Sequence, residues 1–501
     1  PVFDGGFPMN STTNRLLAGL NRVGPIPTGL VVITWTLLLA KLIPVPVADY
    51  GMFLSVAERL RAGDTLYVEV FENKDPLFHY SLATSTYLGS FGPWILQVTW
   101  VFLAGLAAFK LAGQLGLTVR SSFVAGFAFT PLIVTGVSFF AGSSHLPAVT
   151  IVLWILVTAM RGYAMSTGIL IALLAFSKLI MFPFGVIVLV GAAWYRRSWT
   201  WGLRSAIAGV ATGAFIAAVM AVRGELLAYL ESLISNVEYS QAAGGGGGTL
   251  AAIQDHLTRV LNTGNLVALW TSLALLFLVV ALMWKASVGE TPAGKQSWLA
   301  AVMFVFLAYA LVAIALTGLW GHHGLILKPV AVVALLLFMS SAPAVVKTAQ
   351  TIAIPGLLAI TYLLAGLPAP ATYLDPLLFA RANVNLQFVT PTETQLILDS
   401  GEPTTYARVG DGDDRGHAMG LREWKLACPR FGQSIWESET ILQSTMDCLP
   451  GANVILITDD VQRTDAYPLW NNFLDQLDAL VEEEYECSSG DGGRVCRRLG
   501  T

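Results

Sequence analysis

Charge is scarce in this chain, and cysteine is missing from most of its length. Of 501 residues only 12% are Asp, Glu, Lys or Arg, while 55% are hydrophobic; an ordinary soluble domain carries about 25% charged residues. That balance excludes a soluble globular enzyme. The 29 basic and 33 acidic residues leave a net charge of -4, which gives no sign of a nucleic-acid partner. No C-x-x-C pair occurs, which disfavours a structural zinc site, and no ligand constellation with recognisable spacing marks a metal. The run "AAGGGGGT" (Ala242–Thr249) lacks the strand–GxxxxGK[ST]–helix setting of a phosphate loop and reads as a flap or linker. No cleavable signal peptide is expected in this sequence. The first apolar run, Ile26–Val45, is too long and lacks a small-residue cleavage site, so it reads as an uncleaved anchor, with Met9 a candidate natural start.

Long apolar runs, by contrast, recur through the first two thirds of the chain. Each membrane helix needs about 20 apolar residues. Eleven spans are expected, near 26–46, 94–114, 121–140, 146–162, 165–177, 180–195, 203–222, 265–284, 298–317, 324–341 and 350–367. Basic residues favour the cytoplasmic side. Arg15 and Arg22, the segment "YRRSW" (Tyr195–Trp199), Lys285, Lys295 and Lys347 all fall on one side if the N-terminus is cytoplasmic. An odd number of spans then puts the C-terminus outside. The cysteines give a second argument, since Cys428, Cys448, Cys487 and Cys496 all lie in the polar C-terminal region. Disulfides belong to oxidising compartments. Four cysteines allow three connectivities, of which the local pairing Cys428–Cys448 and Cys487–Cys496 is preferred over a reduced zinc site or the other two.

Three pieces then share the outer face: a first loop from Val47 to about Pro93, a Gly-rich loop over 223–264, and a domain over 368–501. Strand-like "VNLQFV" (Val384–Val389) and "ANVILITDD" (Ala452–Asp460), with helical stretches between, predict a small α/β fold for the last. The expected fold class is a polytopic α-helical membrane protein, a transmembrane domain over 1–367 with a small extracytoplasmic α/β domain. The Ala-, Gly- and Val-heavy spans fit a GC-rich bacterium, and the expected location is its cytoplasmic membrane.

The first loop is the most informative stretch. Asp49 follows the first apolar run directly. Met52, Phe53, Val56, Ala57 and Leu60 then make an apolar stripe at helical spacing, with Glu58, Arg59 and Arg61 elsewhere and Gly63 as the stop. That pattern predicts an amphipathic helix lying in the membrane interface. A short extended piece follows, then Lys74, and Pro76 starts another helix. Asp49 and Lys74 thus flank a re-entrant structure, one acidic and one basic.

This order, an aspartate ending span one, an amphipathic helix, R-x-G-x-x-x-Y (Arg61–Tyr67) and K-x-P-L (Lys74–Leu77), resembles the GT-C superfamily of membrane glycosyltransferases. The similarity is to the branch holding protein O-mannosyltransferases, the lipid A aminoarabinose transferase and related polyprenyl-phosphate-sugar transferases. "LLAFSKLIMFPF" (Leu173–Phe184) resembles that family's apolar hairpin with a lysine at its outer tip, and "GHHGLILKP" (Gly321–Pro329) its late histidine segment, with Gly324 where an aromatic is usual. Some members carry two adjacent acidic residues where this chain has Asp49 and Tyr50, and "DP" (Asp75–Pro76) stands in place of a proline pair.

The resemblance implies an inverting transfer of a sugar from a polyprenyl-phosphate donor to a hydroxyl of an envelope glycan, glycolipid or protein, among membrane lipids. A hydroxyl needs a carboxylate to take its proton, and Asp49 is the expected base. The leaving lipid phosphate needs fixed positive charge, expected from Lys74 and Lys178 with hydrogen bonds from His322 or His323. Tyr50, Tyr67, Glu69, Glu72, His145 and Lys328 are candidate acceptor or donor contacts. Simpler roles stand beside these: a helix cap for Asp49, a solvated loop for Lys74, and snorkelling for Lys178. A transporter or flippase of a lipid-linked sugar is the competing reading, although such proteins want polar groups near mid-membrane.

Overall fold

The computed structural model describes residues 24–42, 49–135, 142–243, 294–316, 325–341, 397–398, 401–410, 421, 423–432, 439–459, 461–463, 467–490 and 493–500. Apolar runs with few charges form most of the helices. In chain order these are α1 (Pro25–Lys41), α2 (Asp49–Ala62), α3 (Pro76–Thr86), α4 (Gly92–Gln114), α5 (Val119–Val134), α6 (His145–Arg161), α7 (Ala164–Ser177), α8 (Phe182–Tyr195), α9 (Trp199–Val222), α10 (Glu225–Ala243), α11 (Gly294–Leu316) and α12 (Lys328–Ser341). Helices α1, α4 to α9, α11 and α12 fall on expected spans, while the expected spans at 265–284 and 350–367 lie outside the described residues. Among the described residues, α4 and α9 are long and apolar enough to cross a membrane by length and composition; α1, α5 to α8 and α12 are apolar but shorter.

Small residues let these helices approach closely, as they do where packing rather than water drives association. A Cβ on Gly168 of α7 would lie 1.9 Å from the carbonyl oxygen of Ser205 in α9. A Cβ on either Gly105 of α4 or Gly126 of α5 would lie 2.6 Å from the other's carbonyl oxygen. Around Gly126, residues Ala125–Phe129 form a π turn ahead of Pro131, which has no N–H to donate. The Phe127 carbonyl accepts a 2.9 Å hydrogen bond from the Trp35 indole of α1. Along α9, by contrast, Leu203, Ile207, Val210, Phe215, Val219 and Val222 are exposed, a long apolar face that nothing in the described chain covers.

Gly63 ends α2 at a φ of 112°, and the Gly63 and Asp64 N–H groups both return to the Arg59 carbonyl. Pro76 occupies the first turn of α3 with Asp75 extended before it. Both boundaries agree with the sequence. The setting of α2 does not: its stripe of Met52, Phe53, Val56, Ala57 and Leu60 is buried in a core shared with α3 and the C-terminal domain. The expected interfacial helix therefore has its apolar face covered by protein rather than available to lipid. The segment expected as a Gly-rich loop opens with the helix α10, which packs Tyr229 into the same core.

The C-terminal domain is a five-stranded sheet, with β1 (Thr405–Val409), β2 (Lys425–Leu426), β3 (Val454–Thr458), β4 (Tyr485–Gly490) and β5 (Gly493–Arg498) in the order β2-β1-β3-β5-β4. Strands β2, β1 and β3 run parallel; β5 is antiparallel to β3 and β4. Side chains alternate between two cores. Ala407, Val409, Ile455, Ile457 and Cys496 pack with helices α13 (Glu439–Cys448) and α14 (Pro468–Glu484). Tyr406, Val454, Leu456 and Val495 pack with α2 and α3. Burial on both faces explains the unbroken apolar run of β3. The α/β expectation holds through β3, whereas the expected strand Val384–Val389 lies outside the described residues. Both locally paired disulfides, Cys428–Cys448 and Cys487–Cys496, are formed.

The close contact at Gly168 yields a direct test. Gly168→Ala should lower stability by about 1–3 kcal/mol, the usual cost of overpacking. Gly113→Ala, at an exposed helical position with open space around it, should be neutral or slightly stabilising. Thermal unfolding of the purified variants decides between them; equal melting temperatures would remove the tight α7–α9 crossing.

Candidate functional site

Beyond Gly63 the chain must turn back sharply to enter α3, and Tyr67 makes the turn in the left-handed region at a φ of 66°. Its N–H donates to the Val70 carbonyl at 2.7 Å, and its hydroxyl donates to the Lys74 carbonyl at 2.7 Å. Between those two bonds the loop carries Glu72 into the core, only 4% exposed. A carboxylate there must be satisfied. Its Oε2 accepts the Lys74 backbone N–H at 2.7 Å and lies 3.1 Å from His79 Nε2, while the Lys74 ammonium lies 3.3 Å from Oε1. Burial alone would push the Glu72 carboxyl up, but Lys74 and His79 outweigh it and hold it well below the usual carboxylate range. Lys74 also stands 5.4 Å from the centre of the Phe53 ring of α2.

Asp75 ties this loop to two other parts of the chain. Its Oδ1 accepts from the Tyr229 hydroxyl of α10 at 2.9 Å, and its Oδ2 accepts from the Leu179 N–H at 3.2 Å. Leu179 begins the 3-10 turn that follows α7, so this bond fixes the extended residue before it, Lys178. Lys178 is partly buried in the turn between α7 and α8. The apolar packing around it pushes its ammonium down to about 8, with nearby Lys74 adding to the effect and Asp75 and Glu72 opposing it. The segments that carry two lysines and two carboxylates, about a hundred residues apart, are thus joined. Tyr67 and Tyr229 face each other beside them, ring centres 5.3 Å apart, and burial raises both hydroxyls far above the normal tyrosine range.

A second network, with only its carboxylate fully buried, joins α3 to the start of α10. The Tyr80 hydroxyl donates to Glu225, which is fully buried, and the Arg223 guanidinium donates to Glu225 at 2.7 Å and to the Tyr80 oxygen at 3.1 Å. This fixes the α9–α10 corner against α3 and so supports Tyr229 one turn further along.

Of the residues expected from sequence, Tyr67, Glu72, Lys74 and Lys178 are brought together. Four others have the following settings. Glu69 is exposed and accepts the Thr65 N–H at 2.7 Å. Tyr50 is buried with its ring against Gly142, where a Cβ would lie 1.9 Å from a ring carbon. His145 is buried at the start of α6, where its N–H donates to the Ser143 hydroxyl at 3.3 Å. Lys328 is partly buried at the start of α12. Asp49 opens α2, one turn before Phe53, and its side chain lies outside what the structure describes. His322 and His323 lie outside the described residues.

Three contributors were not expected. Asp75 is a donor-gathering carboxylate rather than half of a proline motif. His79 lies in the apolar stretch "PLFHY", where an ionisable residue was itself a signal. Tyr229 carries no local sign, because only the α10 packing aims it at Asp75. No protein-family model matches the chain, and no curated protein matches it.

Because the folded Glu72 carboxyl sits below its ordinary value of 4.5, the stability it confers is fully present above that pH and is lost as pH falls. Wild-type melting temperature should therefore drop between about pH 5 and about pH 3, and Glu72→Gln should flatten that limb. Scanning calorimetry across the range checks this; parallel acid limbs in both proteins would contradict the assignment.

Proposed function

We propose that the chain is a polytopic membrane glycosyltransferase of the GT-C kind. In this reading it moves a sugar from a polyprenyl-phosphate donor to a hydroxyl of an envelope glycan, glycolipid or protein at the outer face of a bacterial cytoplasmic membrane. The observation that carries the proposal is the bond from the Leu179 N–H to Asp75, which joins the distant turns that carry Lys74 and Lys178. The exposed apolar face of α9 supports membrane insertion, and the two disulfides support an oxidising side for the C-terminal domain.

The chemistry assigns each group a task. As the glycosidic bond to the lipid phosphate breaks, negative charge grows on the leaving phosphate, and ammonium groups fixed in place stabilise it without reorganising. Glu72 and Asp75 are already engaged, by Lys74 and His79 and by Tyr229 and Leu179. They hold the lysines in position and are poorly placed to accept a proton. That leaves Asp49 as the base, one turn before the Phe53 ring that packs beside Lys74 and His79. Attack from the face opposite the phosphate inverts the anomeric centre in one displacement. His322, His323 and Lys328 are further donors to the phosphate in this reading. A flippase fits less well, because the paired charges lie in turns rather than within helices.

Incubating the purified protein with a panel of polyprenyl-phosphate sugars should identify one that is consumed. Asp49→Asn should then lower turnover by about 10²–10⁴-fold, the usual weight of a general base, while donor binding survives. Turnover near the wild-type rate in that variant would sink the mechanism. Because Lys178 sits near 8, donor affinity should weaken as pH rises through that value, and Lys178→Arg, whose charge persists, should move the alkaline limb upward. A pH-independent affinity in the wild type would remove Lys178 from the phosphate site.

A further inference from the structure

We propose that the C-terminal domain is a clamp on the loop that carries Glu72 and Lys74, with Arg430 acting as a positioning residue through Phe71. The catalytic consequence rests on the transferase reading; the clamp itself rests on contacts. Immediately before Glu72, the Phe71 N–H donates to the Pro429 carbonyl at 2.7 Å, and Phe71 forms a parallel bridge with Arg430. The Arg430 guanidinium stacks 3.7 Å from the centre of the Phe71 ring. The next residue is the buried carboxylate that binds Lys74, so displacement of the 429–430 peptide displaces Lys74.

That peptide is itself held from behind. Pro429 follows Cys428, which is buried and bonded to Cys448 at the end of α13. A second attachment lies nearby, where Arg59 of α2 donates to the Trp424 carbonyl at 3.1 Å. Between the two, Tyr406, Val454, Leu456 and Val495 close one sheet face over Phe53, Val56, Leu66 and Val70. A module tethered by a linker and merely collecting acceptor would not need its sheet buried against the loop. The other disulfide, Cys487–Cys496, bridges β4 and β5, and Cys496 faces the core of α13 and α14 on the opposite side of the sheet.

Hydrogen exchange of the full-length protein, followed residue by residue, reads the clamp without any substrate. Arg430→Ala and, separately, the pair Cys428→Ala with Cys448→Ala should speed exchange of the Phe71–Lys74 amides by about tenfold, the scale of a lost cation–π contact. The Val454–Thr458 amides should stay as protected as in the wild type. Arg430→Lys should fall between, and the pair Cys487→Ala with Cys496→Ala should leave the loop unchanged. With the consumed donor in hand, Arg430→Ala should lower kcat several-fold with a smaller change in KM, because Lys74 meets the charge that grows on the leaving phosphate. Wild-type exchange at Phe71–Lys74 in both clamp variants, or faster exchange with an unaltered kcat, overturns the proposal. Faster exchange in a protein whose wild type consumes no donor would uphold the clamp and refute the transferase.

Discussion

A carboxylate taken out of water must find donors or give up its charge, and two such groups organise this molecule. Glu72 takes its donors from its own loop and from α3, which makes the turn after Gly63 rigid. Asp75 takes its donors from α10 and from the turn after α7, which makes the same loop a junction of three segments. Each bond is ordinary by itself. Together they leave the two lysines few positions to occupy, and Lys178 becomes titratable near neutral pH because apolar packing and Lys74 crowd it.

The C-terminal sheet obeys a parallel constraint. Its strands alternate between two apolar sets, one packed with α13 and α14 and the other sharing a core with Ile397, Trp424 and residues of α2 and α3. Those residues must be covered, and α2 and α3 contribute to the cover. The apolar stripe of α2 is satisfied in the same contact. Two surfaces that would each be a liability in water or at a lipid boundary therefore resolve one another, and the loop of Glu72 and Lys74 is caught between them.

Helix packing in the remainder of the chain follows a different logic. Glycines at Gly105, Gly126 and Gly168 bring backbones within distances that any side chain would forbid. The exposed face of α9 carries large aliphatic and aromatic side chains instead.

Local physics determined much of this protein by sequence alone. Uninterrupted apolar runs marked the long helices, Gly63 and Pro76 marked the ends of α2 and α3, and short spacing favoured the disulfide partners that are formed, because all of these depend on neighbours in the chain. Lys74 and Lys178 stood out as charges beside apolar runs, although nothing in the sequence placed them together. Tertiary structure alone decided that meeting. It required Asp75 to bond a backbone N–H and a tyrosine each more than a hundred residues away. It also decided what covers α2, since amphipathic spacing records that a face must be buried without recording whether lipid or protein will bury it. Periodicity is a property of a segment, whereas a buried charge pair is a property of the whole fold.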